Sequence, residues 1–234
     1  MYSYLFNFWS IAAFAVFTVL SVIHLVKCYQ EKDGLADITK FTLMPALLLF
    51  FLAFTFLNLN SISIIHILII TALIFSFLGD WALIFDSEKS IFVLGMLFFA
   101  VTQLCYIAFS IIKFSSATFP VIIGIVTALV YICGLIYQFM RMKKYLKGMK
   151  NVVIGYGILI SIMSWFFLVS AIAAPSAATI LAAIGSILFI ISDSMVAYSY
   201  FMGGIIKGRF FIMITYILAQ FLIILGVIGM LSLS

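Results

Sequence analysis

The sequence predicts an all-α integral membrane protein that crosses the bilayer eight times. Three observations carry that expectation. Of 234 residues, 67% are hydrophobic and only 8% charged, against about 25% charged in soluble domains. Mean hydropathy is +1.39. The apolar residues also gather into eight runs near the ~20 residues needed to span a ~30 Å hydrocarbon core. So few charges could not cover a water-facing surface, which excludes a soluble enzyme, a nucleic-acid-binding module and a disordered chain. Aromatic residues reach 17%, but the alternating strands of about ten residues that mark an outer-membrane barrel do not occur.

The runs lie at approximately 8–27, 41–57, 62–85, 91–113, 119–139, 152–172, 177–201 and 210–231. The first is long enough to cross and follows no basic segment, so it reads as a span rather than a cleaved leader. Pro45 is expected in the first turn of the second helix, where proline is tolerated. Pro120 opens the fifth helix and Pro175 lies in the turn before the seventh. The short connections leave no room for a soluble domain, so residues 1–234 read as one transmembrane domain.

Cations sort strongly by side. Odd-numbered loops hold Lys27, Lys32 and Lys40, then Lys89, then Arg141, Lys143, Lys144, Lys147 and Lys150, then Lys207 and Arg209; only Lys113 falls opposite. The positive-inside rule therefore places the odd loops in the cytoplasm and both termini away from it. The net charge of +5 reflects this topology and anionic headgroups rather than nucleic acid. Compact loops suit a bacterial inner membrane. The two halves also correspond: Gln103 sits in helix 4 as Gln220 does in helix 8, and Lys40 and Lys150 precede helices 2 and 6. That suggests a parallel 4+4 repeat with its site at the pseudo-symmetry axis. Cys28, Cys105 and Cys133 form no CxxC pair. Cys105 and Cys133 read as small apolar core residues, with no disulfide or metal expected.

Five acids, Glu31, Asp33, Asp37, Asp86 and Glu88, fall in loops. Asp80 and Asp193 instead interrupt apolar helices, with no Lys, Arg or His within a helical turn of either. An aspartate at such a position costs about 2.5–3.5 kcal/mol on insertion scales, so it faces the bundle interior and marks function. Helices 3 and 7 run parallel, and the two acids lie roughly 8 and 12 Å from their cytoplasmic ends. At matched depth they could meet across a cavity, where burial and repulsion would keep one carboxyl protonated and leave the other ionised. General acid–base chemistry uses such a pair; the alternative is neutral glue between helices. Ser76 lies one turn from Asp80, and Gly79 opens space beside it. Ser192 and Ser194 flank Asp193, while Gln103, Tyr106, Tyr216 and Gln220 lie in mid-helix. His66 belongs to the outer interface. His24 reads as an interfacial anchor, and two isolated histidines make no metal centre.

These residues fall into a recognisable pattern. Phe75-Ser76-Phe77-Leu78-Gly79-Asp80 is like F-S-x-x-G-D, and Phe92-Val93-Leu94-Gly95 and Gln103-Leu104-Cys105-Tyr106 follow. Gly185 through Ser194, with Ala197 and Phe201, is like G-A-x-x-F-x-x-S-D-S-x-x-A…F, and Tyr216-Ile217-Leu218-Ala219-Gln220 is like Y-x-x-A-Q. Over about residues 40–226 the chain resembles the lysoplasmalogenase, or YhhN-like, family of eight-span membrane proteins. Gln103 departs from the histidine frequent at that place, which bears on any acid–base role there. The resemblance implies hydrolysis of the vinyl ether of lysoplasmalogens to a fatty aldehyde and glycerophosphoethanolamine or glycerophosphocholine. It implies a single-chain ether phospholipid as substrate and needs no metal or cofactor. A vinyl ether hydrolyses by protonation at its β-carbon and water addition at the resulting oxocarbenium carbon, a division of labour that glycosidases give to two carboxyls. Asp80 and Asp193 are the expected catalytic residues, with neither assigned as acid or base. The alkenyl chain would lie among helices 3, 4, 7 and 8, and the phosphate near Lys40, Lys144 or Arg209.

Three other readings start from the same residues. A proton-coupled transporter also uses titratable acids in helices. An intramembrane aspartyl protease needs G-x-G-D, but Phe77 holds the first glycine's place. A purely structural membrane protein would need neither acid for activity. Headgroup preference and oligomeric state stay open at this level.

Overall fold

The computed structural model describes residues 8–58, 62–85, 88–114, 121–146, 148–204 and 207–232. Eight α-helices follow in order: α1 Phe8–Tyr29, α2 Asp33–Asn58, α3 Ile64–Ile84, α4 Lys89–Lys113, α5 Val121–Met142, α6 Lys150–Ala173, α7 Ala177–Met202 and α8 Gly208–Leu231. Each is long and apolar enough to cross a membrane. In hydrocarbon every backbone polar group must be satisfied within its own segment, which is why apolar runs of this length resolve as helices. The chain is thus an integral multi-pass membrane protein. Asp86, Pro120 and Lys147 lie outside the described residues.

Helix α2 departs most from expectation. It begins at Asp33, two turns before the apolar run starts, so Asp37 and Lys40 lie in the helix rather than in a loop. A hydropathy window misses this because residues 33–40 are largely polar. The helix is nonetheless held there by the bundle, since Ala36 is fully buried and Thr39 meets His24 of α1 at 2.8 Å. Pro45 consequently sits inside α2 rather than in its first turn. It withholds one backbone N–H, which neighbouring helices let a membrane helix tolerate. Lys150 is likewise the first residue of α6 and not part of a preceding loop.

Packing concentrates on α3 against α4 and α7 against α8. Small residues set the second contact. A Cβ on Gly226 would fall 2.6 Å from the Ala178 carbonyl oxygen, and one on Gly185 2.8 Å from that of Ala219. Membrane helices lack a hydrophobic drive toward one another, so such close backbone approach and van der Waals contact bind them. Gly203, at φ 95°, ends α7 in the left-handed region that glycine enters without a steric cost. Tyr106, Phe51, Phe54, Phe109, Phe167 and Phe189 fill the centre.

Helix α5 stands apart from this core. Only Gly124 and Met142 on it are buried, and Cys133, expected in a core, is exposed. Tyr131 reaches Ser164 of α6 at 2.8 Å, and Trp165 of α6 donates to Thr127 of α5 at 3.1 Å. Among contacts between helices not adjacent in the chain, α2 with α8 matches α6 with α4 under a shift of four, whereas α1 with α8 and α5 with α7 have no counterpart among the described residues.

Candidate active site

Asp80 is 3% exposed, yet it is fully partnered. Lys40 of α2 places Nζ 3.3 Å from its Oδ1, and the Tyr216 hydroxyl of α8 donates to its Oδ2 at 2.8 Å. A buried charge must be paired and hydrogen-bonded, and the early start of α2 supplies the cation. Lys40 therefore does not stand free at the surface to receive a phosphate. Its own i−j neighbours could not reveal this, because the contact crosses from α2 to α3.

One turn up, a second polar layer continues the contact. Ser76 on α3 and Gln220 on α8 lie four residues from Asp80 and Tyr216, hence on the same helix faces. Gln220 Nε2 donates to Ser76 Oγ at 2.9 Å, and the Tyr106 hydroxyl of α4 donates to Gln220 Oε1 at 2.8 Å. Ser76 and Thr102 hydroxyls meet at 3.1 Å, and Thr102 donates to the Ala72 carbonyl at 3.0 Å. Five expected residues thus fall into two buried groups one turn apart, Asp80 with Tyr216 and Ser76 with Tyr106 and Gln220, which join α3, α4 and α8. Thr102 and Lys40 complete them.

Asp193 has different surroundings. The Tyr156 hydroxyl of α6 donates to its Oδ2. Both residues form part of the wall of a cavity of about 200 Å³, together with Ser194, Phe99, Ile160 and Ile190. The exposure Asp193 retains is exposure to this space. Asp80 is absent from the lining. Phe99 takes part in the surroundings of both acids. Its ring lines the cavity, packs edge-on to Tyr216 with centroids 6.0 Å apart, and occupies the place a Cβ on Gly79 would take, 2.7 Å away. Gln103 is wholly buried beside Tyr156 on α4, and its amide closes no hydrogen bond of normal geometry.

The cavity belongs to α3, α4, α5, α6 and α7. Helix α8, expected among its walls, instead supports Asp80 from behind, and α5 and α6 take its place. Ser192 turns away from the cavity and donates to the Ile212 carbonyl of α8 at 3.1 Å. Arg209 pairs with Asp37 of α2. Lys144 is exposed after the end of α5. His24 is completely buried rather than interfacial, because the added turns of α2 cover it. It contacts Cys28 as well as Thr39. His66 caps α3, accepting from the Ser63 N–H at 3.0 Å. Tyr156 was the residue the sequence left unmarked. Its signal is the Gly155-Tyr156-Gly157 triplet, a lone polar ring bracketed by two glycines in an apolar helix.

Fold and site define a class: a helical membrane protein with two intramembrane aspartates, each met by a tyrosine from another helix, and a cavity touching one of them. The chain belongs to the YhhN family, whose profile matches residues 35–227. It is also 36% identical over 166 residues to the bovine (Bos taurus) protein named lysoplasmalogenase TMEM86A. That match covers 68% of this chain and 65% of the bovine protein, a little under two thirds of the relative's length. No solved structure matches.

Proposed function

We propose that the protein hydrolyses the vinyl ether bond of single-chain ether phospholipids, the lysoplasmalogens, with Asp193 as the group that touches substrate. The observation that carries this reading is the cavity wall: Asp193 and Tyr156 are part of it, while Asp80 is absent from it and bound to Lys40. The family and the name of the bovine relative support the substrate class.

The chemistry follows from these charges. Lys40 and Tyr216 hold the Asp80 carboxyl in place. In the proposed scheme Asp193, at the apolar cavity wall, carries the proton. Tyr156 holds one oxygen of the Asp193 carboxyl, so the other presents the proton to the β-carbon of the vinyl ether. The C=C electron pair takes that proton and leaves an oxocarbenium ion, whose positive charge the new Asp193 carboxylate and the Asp80 charge stabilise. Water then adds at the α-carbon and returns a proton to Asp193. The hemiacetal collapses to aldehyde and glycerophospholipid alcohol. One carboxyl serves both steps, and Asp80 acts through it as a positioning charge. No metal or cofactor enters the scheme. The odd-numbered connections face the cytoplasm in this reading, both termini face away, and compact loops suit a bacterial inner membrane. The match of α2–α8 with α6–α4 is what supports a parallel 4+4 repeat within a single transmembrane domain.

The test is aldehyde release from a lysoplasmalogen by purified protein in detergent. Asp193→Asn should lower turnover by about 10²–10⁴-fold, the usual worth of general acid–base catalysis. Turnover near wild type in that variant would remove the mechanism. Counter-flow of unaltered substrate in proteoliposomes, without aldehyde, would favour a transporter instead.

A further inference from the structure

The proposed reaction leaves a phosphate to be held, and two of the three cations expected to hold it are engaged elsewhere. Lys40 is bound to Asp80 and Arg209 to Asp37. Lys207, at the same end of the bundle, lies 3.5 Å over the Tyr29 ring. The α5–α6 connection differs. Arg141, Lys143, Lys144 and Lys150 are all exposed around it, and among the described residues none of them enters the ion pairs at this end of the bundle. This cluster also adjoins the cavity, whose wall includes Met142 and Leu146 from the same segment and Val153 from the start of α6.

We propose that the α5–α6 connection is the phosphate subsite of the cavity, with Lys143, Lys144 and Lys150 taking the headgroup phosphodiester of a single-chain lipid whose reacting bond reaches Asp193. This rests on the hydrolase reading for the identity of the bond, but not for the binding. Distances along the fold agree with it. Asp193 lies nine residues before the end of α7, roughly 13 Å from that end at 1.5 Å per residue. A lysine stem reaches about 6 Å inward, and the phosphorus-to-vinyl-carbon span of such a lipid is roughly 7 Å at ordinary bond lengths. Together they cover the gap. A cavity of about 200 Å³ is below the range of roughly 300–1,000 Å³ that encloses a drug-sized ligand, so it takes the glycerol and the vinyl ether. The remaining chain runs on between α5 and its neighbours toward the lipid. An exposed basic cluster suits a phosphodiester because lysine offers a compact charge to its oxygens.

The experiment measures binding, not turnover, in a phosphate-free maltoside detergent. Wild type and a K143Q/K144Q/K150Q variant are titrated with a saturated 1-O-alkyl lysophospholipid, which cannot be hydrolysed at a vinyl ether, and with the matching 1-O-alkyl glycerol, which lacks phosphate. The triple variant should bind the lysophospholipid roughly tenfold more weakly with a flatter salt dependence, and the alkyl glycerol as wild type does. Equal losses for both probes, or none for either, would overturn the subsite. Displacement of the lysophospholipid by inorganic phosphate at equal affinity would assign the cluster to free phosphate and overturn the lipid headgroup. Because no probe reacts, loss of the hydrolase reading would leave this result standing, and the converse also holds.

Discussion

Lys40 and Asp80 make a charge pair that neither residue could sustain singly in apolar surroundings. Removing one partner of a buried pair leaves an uncompensated charge and costs about 3–5 kcal/mol, whereas removing both can be nearly neutral. Lys40→Met should therefore lower the thermal unfolding midpoint in detergent sharply, and Lys40→Met with Asp80→Asn should restore much of it. Additive losses in the double variant would show that the contact is not a coupled pair. Tyr156 calls for a kinetic test. Its hydroxyl orients the Asp193 carboxyl, and a hydrogen bond to a charged or titrating group is worth about 1.5–3 kcal/mol. Tyr156→Phe should thus reduce kcat by roughly 10–100-fold with the fold intact. An unchanged kcat would detach Tyr156 from the chemistry. The two aspartates were legible in the sequence because a charge stands out in an apolar run. Lys40 and Tyr156 were not, because their meaning depends on partners in other helices.

Helices α7 and α8 are held by backbone contact at glycines more than by interdigitated side chains. Gly226→Ala would press a methyl against the Ala178 carbonyl and the Ala182 backbone nitrogen, 2.6 and 2.8 Å away. Overpacking of this kind costs about 1–3 kcal/mol. Gly34→Ala, where nothing lies within 4 Å, is the control and should be neutral or slightly stabilising given the helix propensity of alanine. Equal melting temperatures for the two variants would deny α7–α8 its close packing. Helix α5 is the opposite kind of element. It is exposed over most of its length yet supplies Leu135, Phe139 and Met142 to the cavity, so one wall of the site is built from the least anchored span. Hydropathy located seven helix starts to within two residues or so and missed α2. The first turns of α2 carry Asp37 and Lys40 and bury only Ala36 and Lys40 among residues 34–40, which leaves no apolar signature.

For the whole molecule, orientation follows from the distribution of cations. In a Cys133→Ala background, a cysteine placed at Lys144 should react with a membrane-impermeant maleimide only once the cytoplasmic side is opened. A cysteine placed at Ser232 should react from outside. The reverse pattern would invert the topology and turn the basic α5–α6 connection away from the cytoplasm. The same end of the bundle holds the Lys40–Asp80 and Arg209–Asp37 pairs, the Lys207 contact with Tyr29 and the approach to the cavity. Lys40, Arg209 and Lys207 thus bind the bundle together there, while Lys143, Lys144 and Lys150 stand exposed.

Composition and spacing alone determined that this chain lives in a membrane as eight helices, and that Asp80 and Asp193 are its anomalous residues. Both conclusions are local, since a bilayer tests each stretch of about twenty residues separately. Only the tertiary structure decided that the two acids are unlike. One is locked to Lys40 by α2, and the other opens with Tyr156 onto a cavity that α5 and α6 complete. The physical reason is that a carboxyl's role depends on the charges and space within a few ångströms, and those neighbours come from helices far away in the chain.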